Sequence, residues 1–179
     1  MKDRTEDLFF EELIRTYGEE LLRLAFTYVK NRTVAEDVVQ EVFVKAFEKR
    51  KDFRGEATYR TYLYRMTINQ CHDYLRSWAY KNTRVSMMLH TMFSSSNTTE
   101  TSVIQKNDNI MIGNAVLQLP TKYREVIVLY YYKGFQIDEI AELIDCSVNT
   151  VKTRLRRGRE QLKNHFTLEG EHFHERFSN

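Results

Sequence analysis

The sequence predicts an all-α protein made of two small helical domains that are joined by a flexible linker. Only one proline and six glycines interrupt 179 residues, so helix breaks are few. Apolar residues recur at spacings of three and four, and strand-like alternation is scarce. A polar stretch without this periodicity divides the chain. The predicted divisions are 1–80 for the first domain, 81–109 for the linker, 110–168 for the second domain and 169–179 for a polar tail.

The composition favours a cytoplasmic protein without a membrane segment or cofactor. The longest apolar run, Val126 to Tyr132, is far shorter than the roughly 20 residues that span a bilayer. The first residues carry acids where a signal peptide is basic and then apolar. Cys71 and Cys146 lie far apart, which favours two reduced core thiols over a metal site or a disulfide. We therefore expect no metal and no cofactor.

Four helices are predicted in the first domain. One apolar face ends near Gly18, and a second ends near Asn31. Thr33 starts a third helix, with Glu36 three residues later as the partner in a capping box. A fourth helix runs from about Thr58 to Trp78.

The linker prediction rests on composition. Residues 94–99 and 105–109 are almost entirely Ser, Asn, Thr, Gln, Lys and Asp. Such a segment cannot bury enough apolar surface to offset the entropy lost on ordering.

The second domain contains a helix-turn-helix pattern over 137–155. A preceding helix opens at Leu119-Pro120 and ends at Gly134. Within the pattern, the small Ala141 permits a close helix crossing, Asp145 tolerates a left-handed turn, and Ser147 can cap the next helix. The apolar positions of the two helices are Ile140, Ile144, Val151 and Leu155.

The second helix of this motif is strongly basic. Between positions 149 and 163 it carries six basic residues and one acidic residue, a formal charge of +5. A solvated helix face usually mixes both signs, whereas a surface of one sign suits a phosphate backbone. We expect the DNA-contacting residues to be Asn149, Lys152, Thr153, Arg154, Arg156 and Arg157.

Aromatic and basic residues alternate in the last helix of the first domain. Aromatic rings beside cations suit unpaired bases, because stacking contributes about 1–3 kcal/mol per base. Tyr59, Tyr64 and Tyr74 are better explained by packing, and composition alone leaves the remaining face open between the two explanations. That face contains Tyr62, Arg65, Asn69, His72 and Arg76.

Together the two halves resemble the extracytoplasmic-function (ECF) sigma factors, two-domain specificity subunits of bacterial RNA polymerase. The first half is similar to sigma region 2 through residues 35–43, 62–66, Asn69 and 73–76. The second half is similar to region 4, and the matching segments are 119–120, 124–126, 140–141 and 150–155.

The resemblance implies a division of labour between the domains. The helix that carries Asp37, Gln40 and Glu41 would bind the clamp helices of core polymerase, and Val44 lies on the same unpartnered face. Region 4 would read the −35 duplex, and the linker would run towards the RNA exit path. Core polymerase, promoter DNA and an anti-sigma factor are the implied partners. The residues that would bind the melted −10 element are Arg54, Tyr59, Tyr62, Arg65, Asn69 and Arg76.

Several positions depart from the family pattern. Tyr62 stands where tryptophan is common, and 77–79 replaces an arginine-rich stretch. Asn149 replaces a frequent glycine, and Gly158 replaces a frequent alanine, which should cost about 0.5–1 kcal/mol of helix stability. These departures bear on promoter preference.

Two other functions fit parts of the pattern. A regulator that binds an operator through the helix-turn-helix would need no polymerase. A helical adaptor would instead use its basic face for an acidic protein partner. An enzyme is the least favoured class, because the sequence has no Gly-rich phosphate loop and no evident nucleophile–base arrangement.

Overall fold

The computed structural model describes residues 2–50, 55, 57–89 and 108–168, and these residues contain helices and no strand. The all-α prediction is therefore confirmed. The helices are α1 Lys2–Val29, α2 Arg32–Glu48, α3 Tyr59–Leu89, α4 Asp108–Gln118, α5 Thr121–Ile127, α6 Ile137–Leu143 and α7 Val148–Leu168.

The first domain begins with one long helix where the sequence pattern suggested two. α1 runs through Gly18 without a break. An internal glycine costs only about 1 kcal/mol, which packing along a 28-residue helix outweighs. The helix ends instead at Lys30, whose φ of 55° is left-handed. The predicted stop at Gly18 is wrong, and the one near Asn31 is confirmed.

Asn31, rather than Thr33, caps the start of α2. The Asn31 side chain accepts a hydrogen bond from the backbone N–H of Val34 at 3.1 Å. Glu36 is occupied elsewhere, since it accepts from Arg32 Nε at 2.9 Å. The predicted Thr33–Glu36 capping box is therefore wrong, because the asparagine two residues earlier satisfies the free amide.

The core of the first domain lies where α1, α2 and α3 meet. Each helix contributes side chains that are fully buried, and Thr67 is satisfied within its own helix by Leu63 O at 2.9 Å. The apolar face predicted for α2 is confirmed. Its buried residues are Ala35, Val38, Val39, Val42, Phe43 and Ala46.

The helix α3 extends well beyond its predicted end. It continues past Trp78 to Leu89, so the first nine residues of the expected linker are helical. Residues 90–107, the tail 169–179 and Arg54 lie outside the described residues.

The second domain is a compact set of short helices. Pro120 precedes α5, where its missing N–H costs nothing. The chain continues from α5 as a single π-helical turn over Val128–Tyr132, closed by a hydrogen bond from Lys133 N to Val128 O at 3.1 Å. Gly134, with φ of 69°, then ends the helix as predicted.

The helix-turn-helix geometry agrees with the sequence in detail. Asp145 has φ of 49°, the left-handed conformation that the turn requires. Ser147 Oγ accepts a hydrogen bond from Thr150 N at 3.1 Å and thereby caps α7. The apolar residues Ile140, Val151 and Leu155 are buried, and Ile144 is half-buried. The predicted roles of Asp145, Ser147 and the apolar residues are confirmed, and Ala141 is buried as a close crossing would require.

Gly158 has a packing role that the sequence did not indicate. A Cβ at this position would lie 3.0 Å from Cγ1 of Ile127 and 3.5 Å from Cβ of Tyr123. The glycine therefore allows α7 to approach α5 closely. This close packing acts against the expected loss of helix stability.

The two domains pack against each other, which the sequence did not predict. The Tyr64 ring lies edge-to-face with Phe135, with centroids 4.9 Å apart. Arg60 donates to Lys133 O, and Lys133 Nζ donates to Glu20 O at 3.4 Å. We refer to this set of contacts, together with those of Glu125 described next, as the interdomain contact.

Glu125 is the centre of the interdomain contact. It is only 4% exposed, and it lies on α5 between helices of both domains. Tyr28 OH donates to it at 3.3 Å, and Nε2 of His72 lies 3.1 Å away. Arg154 Nη1 of α7 pairs with the other carboxylate oxygen at 2.8 Å. One buried carboxylate thus joins α1, α3, α5 and α7.

Replacement of Asn31 tests the cap of α2. We expect Asn31→Ala to lower the free energy of unfolding by about 1 kcal/mol, because an amide at the helix start loses its acceptor. The measurement is urea denaturation followed by far-UV circular dichroism. Thr33→Ala is the matched control and should change stability by less than about 0.5 kcal/mol. If Thr33→Ala instead lowered the free energy of unfolding more than Asn31→Ala, Thr33 would be the cap of α2.

Replacement of Glu125 tests the buried carboxylate. Glu125→Gln should lower the free energy of unfolding by about 2–4 kcal/mol, because Arg154 loses its partner in a buried setting. Glu36→Gln, which removes an exposed pair, should cost less than about 1 kcal/mol. Thermal and urea unfolding measure both variants. Equal losses would contradict the central role of Glu125.

Candidate nucleic-acid and polymerase interfaces

The basic helix α7 presents five of its six predicted DNA-contacting residues to solvent. Val151 and Leu155 anchor the opposite side of the helix in the core. Arg156 pairs with Glu160 one turn later, so its charge is partly compensated. The exposed members of the predicted set are Asn149, Lys152, Thr153, Arg156 and Arg157.

Arg154 differs from the other five. Its guanidinium pairs with the buried carboxylate of Glu125, and only 27% of its side chain is exposed. Its charge therefore serves to hold α7 onto α5. A direct contact of Arg154 with DNA stays a prediction.

A small basic cavity lies between the start of α5 and the exposed side of α7. Its volume is about 400 Å³. Lys122 and Tyr123 of α5 contribute to it, although the sequence analysis did not select them. They are distant from α7 in sequence, and only the folded structure shows that they lie beside it. The lining residues are Lys122, Tyr123, Asn149, Thr150, Thr153, Arg154 and Arg157.

The residues of α3 that were predicted to bind the −10 element are only partly accessible. Arg65, Asn69 and Arg76 are exposed along one side of the helix. Arg65 Nη2 donates to Glu142 O of α6 at 3.0 Å, so the interdomain contact covers part of this surface. Arg76 pairs with Asp73. Asn69 is exposed.

The tyrosines of α3 take different positions. Tyr64 is fully buried, and its hydroxyl donates to Glu20 at 3.1 Å; burial raises its pKa well above the usual value. Tyr59 and Tyr62 are half-buried against the core, and the Tyr59 ring lies 5.0 Å from that of Phe9. Tyr64 is thus a packing residue as expected, and Tyr59 has a packing partner as well.

The face of α2 that was predicted to bind polymerase is exposed. Asp37, Gln40 and Glu41 face solvent, and the apolar Val44 is 51% exposed. Glu41 is oriented by two neighbours, since Lys45 Nζ lies 2.7 Å from one carboxylate oxygen and Gln70 Nε2 donates to the other at 2.6 Å. This face therefore combines fixed negative charge with an uncovered valine.

Metal-ligating clusters and membrane-spanning helices are both absent from the described part of the chain. No three His, Cys, Asp or Glu side chains in this part of the chain are grouped to hold a metal ion. None of the helices there is both long and apolar enough to cross a bilayer. Cys71 is buried, which raises the pKa of its thiol to about 12, and Cys146 is half-buried.

Family models match both halves of the chain. The Sigma-70 region 2 model matches residues 13–79, and the Sigma-70 region 4 model matches residues 110–162. These ranges correspond to the domain with the exposed α2 face and to the domain with the basic α7.

Curated relatives match nearly the whole length. The ECF RNA polymerase sigma factor SigW of Bacillus subtilis is 31% identical over 162 residues, covering 86% of this chain and 87% of the relative. The ECF RNA polymerase sigma-E factor of Escherichia coli K12 is 31% identical over 165 residues, covering 87% and 85%.

Solved structures share the fold. The sigma factor RpoE of Bartonella quintana, in complex with the anti-sigma factor NepR, superimposes with a TM-score of 0.68 at 22% identity, covering 89% of this chain and 98% of that one. CnrH, in complex with the cytosolic domain of CnrY, gives 0.61 at 25% identity, covering 91% and 89%. The chain therefore belongs to the ECF sigma factors, the RNA polymerase-associated proteins that direct promoter-specific transcription initiation.

Proposed function

We propose that α7 of this sigma factor reads the −35 element as duplex and that α3 holds the −10 element after its strands part. The observation that carries the proposal is the charge of α7, which is +5 between positions 149 and 163 and lies on a helix whose other side is anchored in the core. Helices of this kind enter the major groove, where side chains contact phosphates and base edges.

The −10 element would be bound through exposed side chains of α3. Asn69 can hydrogen-bond an unpaired base, while Arg65 and Arg76 supply positive charge on the same side of the helix. Capture of unpaired bases gives binding energy that drives melting, so neither ATP nor a covalent step is required. We propose accordingly that the protein acts by binding and not as an enzyme.

Core polymerase would bind the exposed face of α2. The carboxylate of Glu41 is held in place by Lys45 and Gln70, which lowers the entropy lost when a basic partner engages it. Val44 supplies apolar area that a partner can cover. Asp37 and Gln40 extend this face by one turn towards the start of the helix.

Simultaneous binding of both elements requires the domains to separate. Positions −10 and −35 lie about 25 base pairs apart, or about 85 Å at about 3.4 Å per base pair. The interdomain contact instead joins α3 to α6 through Arg65 and Glu142. A segment of 18 residues, the number from 90 to 107, can extend at most about 60 Å, so the domains themselves would have to cover the rest of the distance of about 85 Å.

The proposed domain limits follow from these roles. Region 2 would comprise 1–80 with the helical extension of α3, region 4 would comprise 110–168, and residues 169–179 would form a tail. One solved structure of this fold, RpoE of Bartonella quintana, is a complex with an anti-sigma factor. We propose a regulatory partner of that class here too.

Run-off transcription tests the function as a whole. The full chain with purified core polymerase should start RNA synthesis at specific sites in a promoter library, and core polymerase alone should not. An operator-binding regulator would bind its DNA tightly without polymerase and would fail to redirect initiation. That outcome would contradict the proposed role in promoter recognition and favour an operator-binding regulator.

Replacement of Asn69 tests the −10 contact. Asn69→Ala should slow promoter opening by about tenfold, equivalent to about 1.4 kcal/mol, because an unpaired base loses its hydrogen-bond partner. Permanganate reactivity of promoter thymines measures the opening. Asn164→Ala, at an exposed asparagine late in α7, is the matched control. Normal reactivity in the Asn69 variant would remove this residue from the −10 surface.

Replacement of Glu41 tests the polymerase contact. Glu41→Ala should raise the Kd for core polymerase by about tenfold through loss of an oriented carboxylate. Fluorescence anisotropy with labelled protein measures the affinity. Glu12→Ala, which removes an exposed acidic residue of α1, should leave it unchanged. If both variants bind core equally well, the face of α2 is not the polymerase contact.

A further inference from the structure

The basic cavity between α5 and α7 has a charge that the structure leaves uncompensated. Three cationic residues line it, and one of them, Arg154, is paired with Glu125. Lys122 and Arg157 have no carboxylate partner among the described residues. Two neighbouring cations facing one concave space favour an anion there.

Tyr123 organises this cavity. The residue is 7% exposed, and its Cβ lies beside Gly158 of α7. Arg157 and Lys122 line the same cavity as Tyr123, and the proximity of the Arg157 guanidinium, with a smaller effect from Lys122, lowers the pKa of Tyr123. Lys122 Nζ also lies 5.0 Å from the ring centroid. Tyr123 therefore lies next to both cations in the lining that also contains Thr153.

The location of the cavity indicates which anion fits. Asn149, Thr153 and Arg157 belong both to its lining and to the exposed side of α7. A duplex with its major groove on α7 would therefore bring its own backbone past α5. α5 precedes the two helices of the helix-turn-helix, so a contact from α5 would add to those of the motif itself, and phosphate contacts fix the register of the protein on DNA.

We propose that Lys122, Tyr123 and Arg157 form a seat for one backbone phosphate of the duplex that α7 reads. This inference rests on the proposed −35 function and adds α5 to the DNA-binding surface. Lys122 supplies a point charge to the phosphate, and Arg157 supplies directed N–H donors. Tyr123 is a positioning residue, because it acts by holding Arg157.

Removal of the Lys122 charge tests the phosphate contact. The binding of holoenzyme, reconstituted from the full chain and core polymerase, is measured on a duplex that carries a selected −35 element and ends upstream of −10. Lys122→Gln should weaken binding about three- to tenfold and reduce the slope of log K against log [salt] by about 0.9, the value for one phosphate contact. Lys122→Arg should retain the slope, and Lys49→Gln, at an exposed lysine that follows α2, should change nothing.

The sequence dependence of the loss distinguishes a phosphate contact from a base contact. The Lys122→Gln loss should be the same for every single-base change in the −35 element, because phosphates carry no base identity. A loss that varies with one base pair would overturn the phosphate assignment.

A double-mutant cycle tests the positioning role of Tyr123. Tyr123→Phe retains the ring and removes only the hydroxyl, so it should weaken DNA binding several-fold without altering the salt slope. The effect should vanish in an Arg157→Ala background, since no guanidinium remains to be positioned. An undiminished loss in that background would overturn the role of Tyr123.

The α7 variant Lys152→Ala distinguishes failure of the phosphate contact from failure of the proposed −35 function. If Lys152→Ala weakens binding while Lys122→Gln has no effect on affinity or slope, the phosphate seat is wrong and the −35 assignment stands. If neither variant weakens binding, the −35 assignment fails and the phosphate seat fails with it.

Discussion

The arrangement of this molecule depends on a carboxylate that is taken out of water. An isolated charge in that position would be strongly unfavourable, so Glu125 requires partners on every side. Tyr28, His72 and Arg154 provide them from three other helices. Neighbouring Arg124 is buried too and donates to Leu117 O at 2.7 Å and to Leu119 O at 3.1 Å. The Arg124-Glu125 pair thus fixes the start of region 4 and its docking on region 2 together.

This constraint divides the basic residues of the recognition helix into two groups. Arg154 points inward and serves the fold, whereas Lys152 and Arg157 remain available to a ligand. The sequence alone does not distinguish these residues, because a run of basic residues shows their charge but not whether each side chain faces the core or the solvent. Which way each side chain faces depends on its position around the helix and on the location of the buried Glu125. That location is known only from the folded structure.

Local chemistry explains which features were predictable from sequence. The turn at Asp145, the Ser147 cap and the stop at Gly134 involve neighbours in the chain, and each was predicted correctly. The break at Gly18 was not, because tertiary packing outweighs a small propensity cost. The interdomain contact and the cavity at Lys122 join residues distant in sequence, so no periodicity indicates them.

The two cysteines have a practical consequence for solution studies. Cys71 is sealed inside region 2, and its thiol stays protonated at neutral pH because its pKa is about 12. Cys146 lies immediately before the Ser147 cap of the recognition helix; it is half-buried, so burial raises the pKa of its thiol too, but it is more accessible than Cys71. A maleimide dye applied to the folded protein would thus label next to α7 with little competition from Cys71. Fluorescence from that position would report directly when the recognition helix meets DNA, without any engineered substitution.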